Sequence, residues 1–281
     1  MIQSFGWFGG KCWLVPELIK LTPPHLVSIE AFGGAAWYTL NKPKSHAEVV
    51  NDINDLLVNT WETIRSNITR FKLRNQGVID ARKLYLDYEK EYHEDKWANC
   101  DDVEKAFRFF YMVTHSFSFT MHGFHAARFG TGTAQHAGYR NKIAAIDEIY
   151  DRIKDVHFRN ESVFDLLPRC DKPDTFIYLD PPYVQGGHAY EEIIGGQPWT
   201  DQDAMKLREM IHGFKNAKVL LSVDNGEFYL KDGWTMKVMD KGGRITKAGA
   251  TPNRECLVMN YEPPKKLFVP TVTAIDTGGE F

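Results

Sequence analysis

An acid, two prolines and an aromatic, Asp180-Pro181-Pro182-Tyr183, close the apolar run Thr175-Phe176-Ile177-Tyr178-Leu179. That run is short and rich in β-branched and aromatic residues, as a buried strand is. The prolines can neither extend a ladder nor continue into a helix. Asp180 is therefore expected at the carboxyl end of a strand, with the Tyr183 ring on a stiff turn beyond it. Ligands of open α/β sheets bind along that rim. A carboxylate, fixed carbonyl groups and a flat ring can together hold a planar amine.

Two other stretches place chemistry on strand ends. Residues 26–32 read as a strand ending in Glu30-Ala31-Phe32, followed by Gly33-Gly34-Ala35-Ala36 and a helix to about residue 40. Small residues there let backbone N–H groups and a ligand approach closely. Residues 46–50 read as a second strand, ending in Asn51-Asp52-Ile53-Asn54. An acid about twenty residues after the glycines is placed to bond ribose hydroxyls; the alternative is that Asp52 only caps the helix beginning near Asp55, and both roles could hold together. The stretch Trp7-Phe8-Gly9-Gly10-Lys11 is a tight turn leading into a helix over 15–21. Neither Gly-x-Gly-x-x-Gly nor a phosphate-binding Gly-Lys-Ser/Thr loop is present, so a cofactor with ribose and adenine but no phosphates, S-adenosylmethionine, fits best.

The elements that position these groups follow from periodicity. Strands and helices alternate over 1–60 and again over 156–262, which predicts a doubly wound, mostly parallel α/β sheet. Its carboxyl tips then lie side by side. Between them, 81–92, 103–115 and 141–152 show helical spacing, with Asp101 or Asp102 as a cap. Residues 116–140 suggest a hairpin-like tip. We expect 61–155 to be an inserted, mainly helical subdomain, Asp201 to cap a helix through Phe214, and 263–281 to be a peripheral tail.

Composition narrows the partners. The 281 residues carry a net charge of −3, which argues against indiscriminate phosphate binding. Local basic segments remain, around Arg128, Arg140 and Lys142 and around Lys241 and Arg244. No apolar run nears the ~20 residues of a membrane span, and the first residues lack the pattern of a signal peptide. Four scattered cysteines predict a reduced, cytoplasmic protein without disulfides or metal ligands.

Taken in order, the motifs resemble the Dam-like, alpha-group family of DNA adenine-N6 methyltransferases. The resemblance covers Trp7-Phe8-Gly9-Gly10-Lys11, Glu30-Ala31-Phe32-Gly33-Gly34, Asn51-Asp52-Ile53-Asn54, the insert, and Asp180-Pro181-Pro182-Tyr183. It extends to Leu220-Leu221-Ser222 and the closing strand from Glu255 to Tyr261. Ala31 departs from the family's proline and puts the stiffness of that turn in question. The resemblance implies a Rossmann-like, S-adenosylmethionine-dependent fold. Trp7 and Lys11 would line the cofactor pocket, Glu30, Phe32, Gly33 and Gly34 would approach the methionine part, and Asp52 would hold the ribose. Asp180 would be the catalytic acid, aided by the Pro181 carbonyl, with Tyr183 stacked on a flipped adenine. The insert would contact double-stranded DNA, with His122, His125, Arg128, Arg140, Asn141 and Lys142 as candidates. Lys241 and Arg244 would grip the backbone, unless their loop is a plain hairpin turn. A monomer or weak dimer, with no membrane association, is expected. Rival readings are methylation of cytosine N4 or of adenine in RNA, or a non-catalytic DNA-binding relic; the acid at position 180 favours adenine.

Overall fold

The computed structural model describes residues 1–78, 81–116, 119, 121–124, 136–183, 199–240 and 254–265. Its centre is a seven-stranded sheet with the order β3-β2-β1-β4-β5-β7-β6. The strands are β1 (Val27–Glu30), β2 (Ala47–Asn51), β3 (His157–Arg159), β4 (Thr175–Leu179), β5 (Lys218–Val223), β6 (Thr235–Asp240) and β7 (Arg254–Met259). The first five in that spatial order are parallel, and β7 runs antiparallel to both β5 and β6. This is the expected mostly parallel α/β sheet.

β4 explains the layering. All five of its residues are buried, and alternate side chains face opposite ways. Phe176 and Tyr178 join Leu14, Leu18, Tyr38 and Leu220 on one face, beside α1 (Val15–Leu21) and α2 (Trp37–Asn41). Ile177 and Leu179 join Ile29, Leu207 and Val258 on the other. A strand covered on both faces needs no polar side, hence the continuous apolar run in the sequence.

The helical segment between β2 and β3 comprises α3 (Asp55–Asn75), α4 (Arg82–His93), α5 (Asp102–His115), α6 (His136–Ala144) and α7 (Ile146–Ile153). Its aromatic core of Trp61, Phe71, Tyr85, Phe107 and Phe110 is continuous with Val50 and Phe158 of the sheet and with Phe5 of the N-terminal segment. The Phe5 ring lies 4.9 Å from Trp61 and 5.6 Å from Phe110. Position 61, where the inserted pattern begins in the sequence, falls inside α3.

Three local expectations are corrected. The helix expected over 141–152 is two, meeting at Ala145, where α7 starts afresh to bury Ile146, Ile149 and Ile153. After α8 (Val163–Leu166), α9 (Asp201–His212) is capped by Thr200, not Asp201. The Thr200 hydroxyl accepts from the Asp203 N–H while Asp203 bonds back, a reciprocal capping box. That helix also ends at His212, before Phe214. Asp101 does cap α5, accepting from the Glu104 N–H. At the hairpin-like tip, one antiparallel bridge joins Ser116 and Phe124; residues 125–135 lie outside the described set.

Candidate active site

The site is built along the carboxyl rim of the parallel strands. β1 ends at Glu30, whose buried carboxylate accepts from the Thr39 N–H at 2.9 Å. Burial, above all, pushes the Glu30 pKa up to about 7. Ala31 donates its N–H to the Tyr178 carbonyl (3.1 Å), a bond proline could not make. The turn that follows is held by hydrogen bonds in place of the proline ring: Gly33 N–H to the Asn51 carbonyl (2.7 Å) and Trp61 Nε1 to the Gly34 carbonyl (3.0 Å). Gly34 has φ +48°, and a Cβ there would sit 2.7 Å from Trp7 Cδ1. Glycine is required twice over, by conformation and by the indole lying on it.

Asp52 leaves the tip of β2 and closes this turn. Its Oδ2 accepts from the Gly34 N–H at 2.8 Å and its Oδ1 from the Asn54 N–H at 3.0 Å. Burial raises its pKa, against the lowering effect of these N–H groups. The cap of α3 is Asn54, which accepts from the Leu57 N–H at 2.8 Å. The alternative in which Asp52 itself caps the helix is therefore set aside. Beside it, Ile53 is 64% exposed, a large apolar side chain on the rim. Across the opening, Phe164 of α8 stacks on Trp199 at 5.8 Å and 9°, and the Phe32 ring meets Trp199 edge-on at 5.5 Å.

At the tip of β4 the charges converge. Lys11 Nζ lies 2.5 Å from Asp180 Oδ1, 2.6 Å from Glu255 Oε1 and 3.1 Å from Ser222 Oγ, with the lysine buried. Ser222 Oγ also donates to Asp180 Oδ1 at 3.2 Å. The Tyr183 hydroxyl donates to Glu255 Oε2 at 2.7 Å, and its ring centroid is 4.9 Å from Lys11 Nζ. Burial alone would lower the Lys11 pKa, but Asp180 and Glu255 outweigh it and hold the ammonium above its ordinary value. Asp180 is raised by burial, which Lys11 opposes and Glu255 reinforces. Burial and the two nearby carboxylates also push Tyr183 upward, so its hydroxyl stays protonated.

A cavity of about 580 Å³ runs along this rim. Its walls include Trp7, Lys11, Glu30, Phe32, Gly33, Gly34, Asp52 and Asp180, so all eight residues expected around a cofactor meet in one space. Pro182 reaches it, whereas Pro181 is buried and Tyr183 stands beside Lys11, away from the lining. Sequence reasoning missed Ile53, Phe164 and Trp199, and it missed Ser222 and Glu255 as site residues. A lone acid opening the apolar strand Glu255-Cys256-Leu257-Val258-Met259 was a legible signal, because an unpaired buried carboxylate is costly.

The residues expected to touch DNA divide. Arg140 and Asn141 are exposed on α6. Lys142 turns back, bonding the Ser4 carbonyl at 3.2 Å and facing the Phe119 ring at 5.7 Å. The half-buried His122 ring lies 6.1 Å from that of His93. His125, Arg128, Lys241 and Arg244 lie outside the described residues. Among the described residues, no group of His, Cys, Asp or Glu is gathered to hold a metal ion, and no helix is long and apolar enough to cross a membrane.

Comparison with known proteins gives the following. A model of the D12 class N6 adenine-specific DNA methyltransferases matches residues 7–238. The chain is 25% identical over 189 residues to the type II methyltransferase M1.LlaDCHI of Lactococcus lactis subsp. cremoris, covering 63% of this chain and 64% of that one. It is 26% identical over 180 residues to M.CviBI of Paramecium bursaria Chlorella virus NC1A, covering 63% and 67%. The matches thus span about two thirds of the length of these relatives. M.MjaIII of Methanocaldococcus jannaschii is 22% identical over 294 aligned residues, covering 91% and 97%. Among solved structures, the rRNA methyltransferase aviRa from Streptomyces viridochromogenes matches with a TM-score of 0.35 and 8% identity over 88% of this chain and 82% of that one.

Proposed function

We propose that this chain, which belongs to the D12 class N6 adenine-specific DNA methyltransferase family, transfers a methyl group from S-adenosylmethionine to the N6 amine of an adenine turned out of duplex DNA. The observation that carries the reading is the position of Asp180. The residue lines the cavity together with Lys11, and its Oδ1 is held by Lys11 and Ser222.

The cavity suits the cofactor. Its volume falls within the ~300–1,000 Å³ of small-molecule sites. Its lining combines carboxylates (Glu30, Asp52) for hydroxyl and amino groups with aromatic faces (Trp7, Phe32, Phe164) for a base and a cation. When bound, S-adenosylmethionine would supply an electrophilic methyl group on a sulfonium: the S–CH3 bond would break as the N6–CH3 bond forms, with S-adenosylhomocysteine as leaving group and one N6 proton lost to solvent. Everything else falls to the protein.

Taking an adenine out of the stack costs a few kcal/mol. Stacking on Tyr183 would return about 1–3 kcal/mol. The amine lone pair is delocalised into the ring. Hydrogen bonds from its protons to Asp180 and to the Pro181 carbonyl favour a tetrahedral nitrogen. These bonds strengthen as positive charge grows on that nitrogen, so they act on the transition state more than on the ground state. Lys11 fixes the Asp180 carboxylate in orientation, and Glu255 offsets the lysine charge that would otherwise oppose the developing cation.

The helical segment 61–155 is our candidate for the target-reading subdomain, with Arg140 and Asn141 as its exposed polar groups on α6. We assign 1–60 and 156–262 to the catalytic domain, and cytoplasmic residence follows from a DNA substrate. The test is incubation with labelled S-adenosylmethionine and unmethylated DNA, followed by nucleoside analysis. Label in N6-methyladenine is expected; label in N4-methylcytosine, or none, would sink the proposal. Asp180→Ala should lower turnover by about 1,000-fold while cofactor still binds.

A further inference from the structure

We propose that Glu255 is a positioning residue for the methyl-transfer step, holding the catalytic acid and the stacking aromatic as one unit. The inference rests on the function proposed above. Asp180 and Tyr183 lie beyond the end of β4, past the last ladder pair that β4 makes among the described residues, Leu179 with Leu221. Glu255 belongs to β7, where it pairs with Met239 of β6 and directly precedes Cys256, the first residue of β7 that pairs with β5. A strand paired on both edges is a rigid mount.

From that mount the carboxylate reaches two groups at once. Oε1 lies 2.6 Å from Lys11 Nζ, which in turn is 2.5 Å from Asp180; Oε2 accepts from the Tyr183 hydroxyl at 2.7 Å. Glu255 is 2% exposed, so these charge-assisted bonds are shielded from water. The cluster holds two carboxylates and one ammonium. It therefore leaves a negative excess facing the side where positive charge must develop on the target amine.

A merely structural acid would only neutralise Lys11. Three variants separate the two roles, each assayed for methyl transfer to genomic DNA and, by equilibrium dialysis, for binding of labelled S-adenosylmethionine. Glu255→Ala removes both bonds. We expect kcat to fall by about 100-fold, as a misplaced reacting group does, with cofactor affinity changed by less than about threefold. Glu255→Gln can accept from Lys11 through its oxygen and donate to Tyr183 through its amide. It should recover to within about tenfold of wild type. The acid limb of its kcat profile should move to lower pH, because the neighbour that raises the Asp180 pKa is gone. Tyr183→Phe keeps the ring and loses only the hydroxyl. It should lower kcat by about tenfold alone and cause little further loss in the Glu255→Ala background.

Wild-type kcat in Glu255→Ala or in Tyr183→Phe overturns the proposal. So does an equal loss of kcat and cofactor binding in Glu255→Gln with an unmoved pH profile. If Glu255→Ala does not fold, the other two variants decide. A wild-type protein that methylates no DNA refutes the functional reading itself, a result distinct from an active wild type with indifferent variants.

Discussion

Two buried lysines stand at opposite ends of the parallel strands, and their surroundings shift their pKa values in opposite directions. Lys11 is at the carboxyl rim with Asp180 and Glu255. Lys42 is at the amino end, where it pairs with Glu48 near the start of β2. Burial disfavours the ammonium in both places. At the rim two carboxylates outweigh burial and raise the pKa. At the other end Glu48 is shared with Arg152, whose guanidinium grips the same carboxylate at 2.5 and 2.9 Å, and burial holds Lys42 at about 8. One cluster has an excess of negative charge and opens on a cavity. The other has an excess of positive charge and joins α7 to the sheet. Burial is the largest influence on both lysines, and the balance of partners decides which way each one shifts.

The contrast can be broken most sharply at the rim. Lys11→Met leaves Asp180 and Glu255 without their cation. Methyl transfer should fall by about 1,000-fold as one of the acids takes up a proton, and an active variant would show that the cluster is not part of the reaction. At the amino end, Glu48→Gln leaves Lys42 and Arg152 facing each other. Urea unfolding should show a loss of about 3–5 kcal/mol, with kcat of the folded fraction unchanged. A loss of turnover without a loss of stability would place that cluster in the reaction.

The smallest effect is a pH dependence. Lys42 binds its proton more weakly in the folded chain (about 8) than in the unfolded chain (10.5). Across that window the unfolded chain holds more protons, so stability from this group rises with pH. The wild type should gain about 2 kcal/mol relative to Lys42→Met between about pH 8 and 10.5. A difference that stays flat would mean that Lys42 is not held down by its surroundings.

Local signals carried much of this molecule. β4 and the turn after it were legible because an apolar run stopped by acid, Pro-Pro and Tyr leaves few alternatives. The glycine turn and Asp52 were legible because a β-α connection needs small residues and its spacing is repetitive. Helix ends were read less well, since Thr200 competes with Asp201 for the same cap and only the Asp203 side chain bonding back decides between them. The break at Ala145 had no local mark; it exists because α7 must aim Ile146, Ile149 and Ile153 inward.

Sequence by itself determined a mostly parallel α/β sheet, eight residues that meet around one cavity, and an acid-and-aromatic turn at the tip of a strand. Tertiary structure alone decided what that acid touches. Lys11 and Glu255 are 244 positions apart, and nothing local to either predicts the other. Hydrophobic and turn patterns report each residue's own neighbourhood along the chain, whereas a buried ion pair depends on the register of strands that meet only when the sheet closes. Asp180-Pro181-Pro182-Tyr183 was readable as a strand-end turn; that Lys11 and Tyr183 share Glu255 of β7 was not.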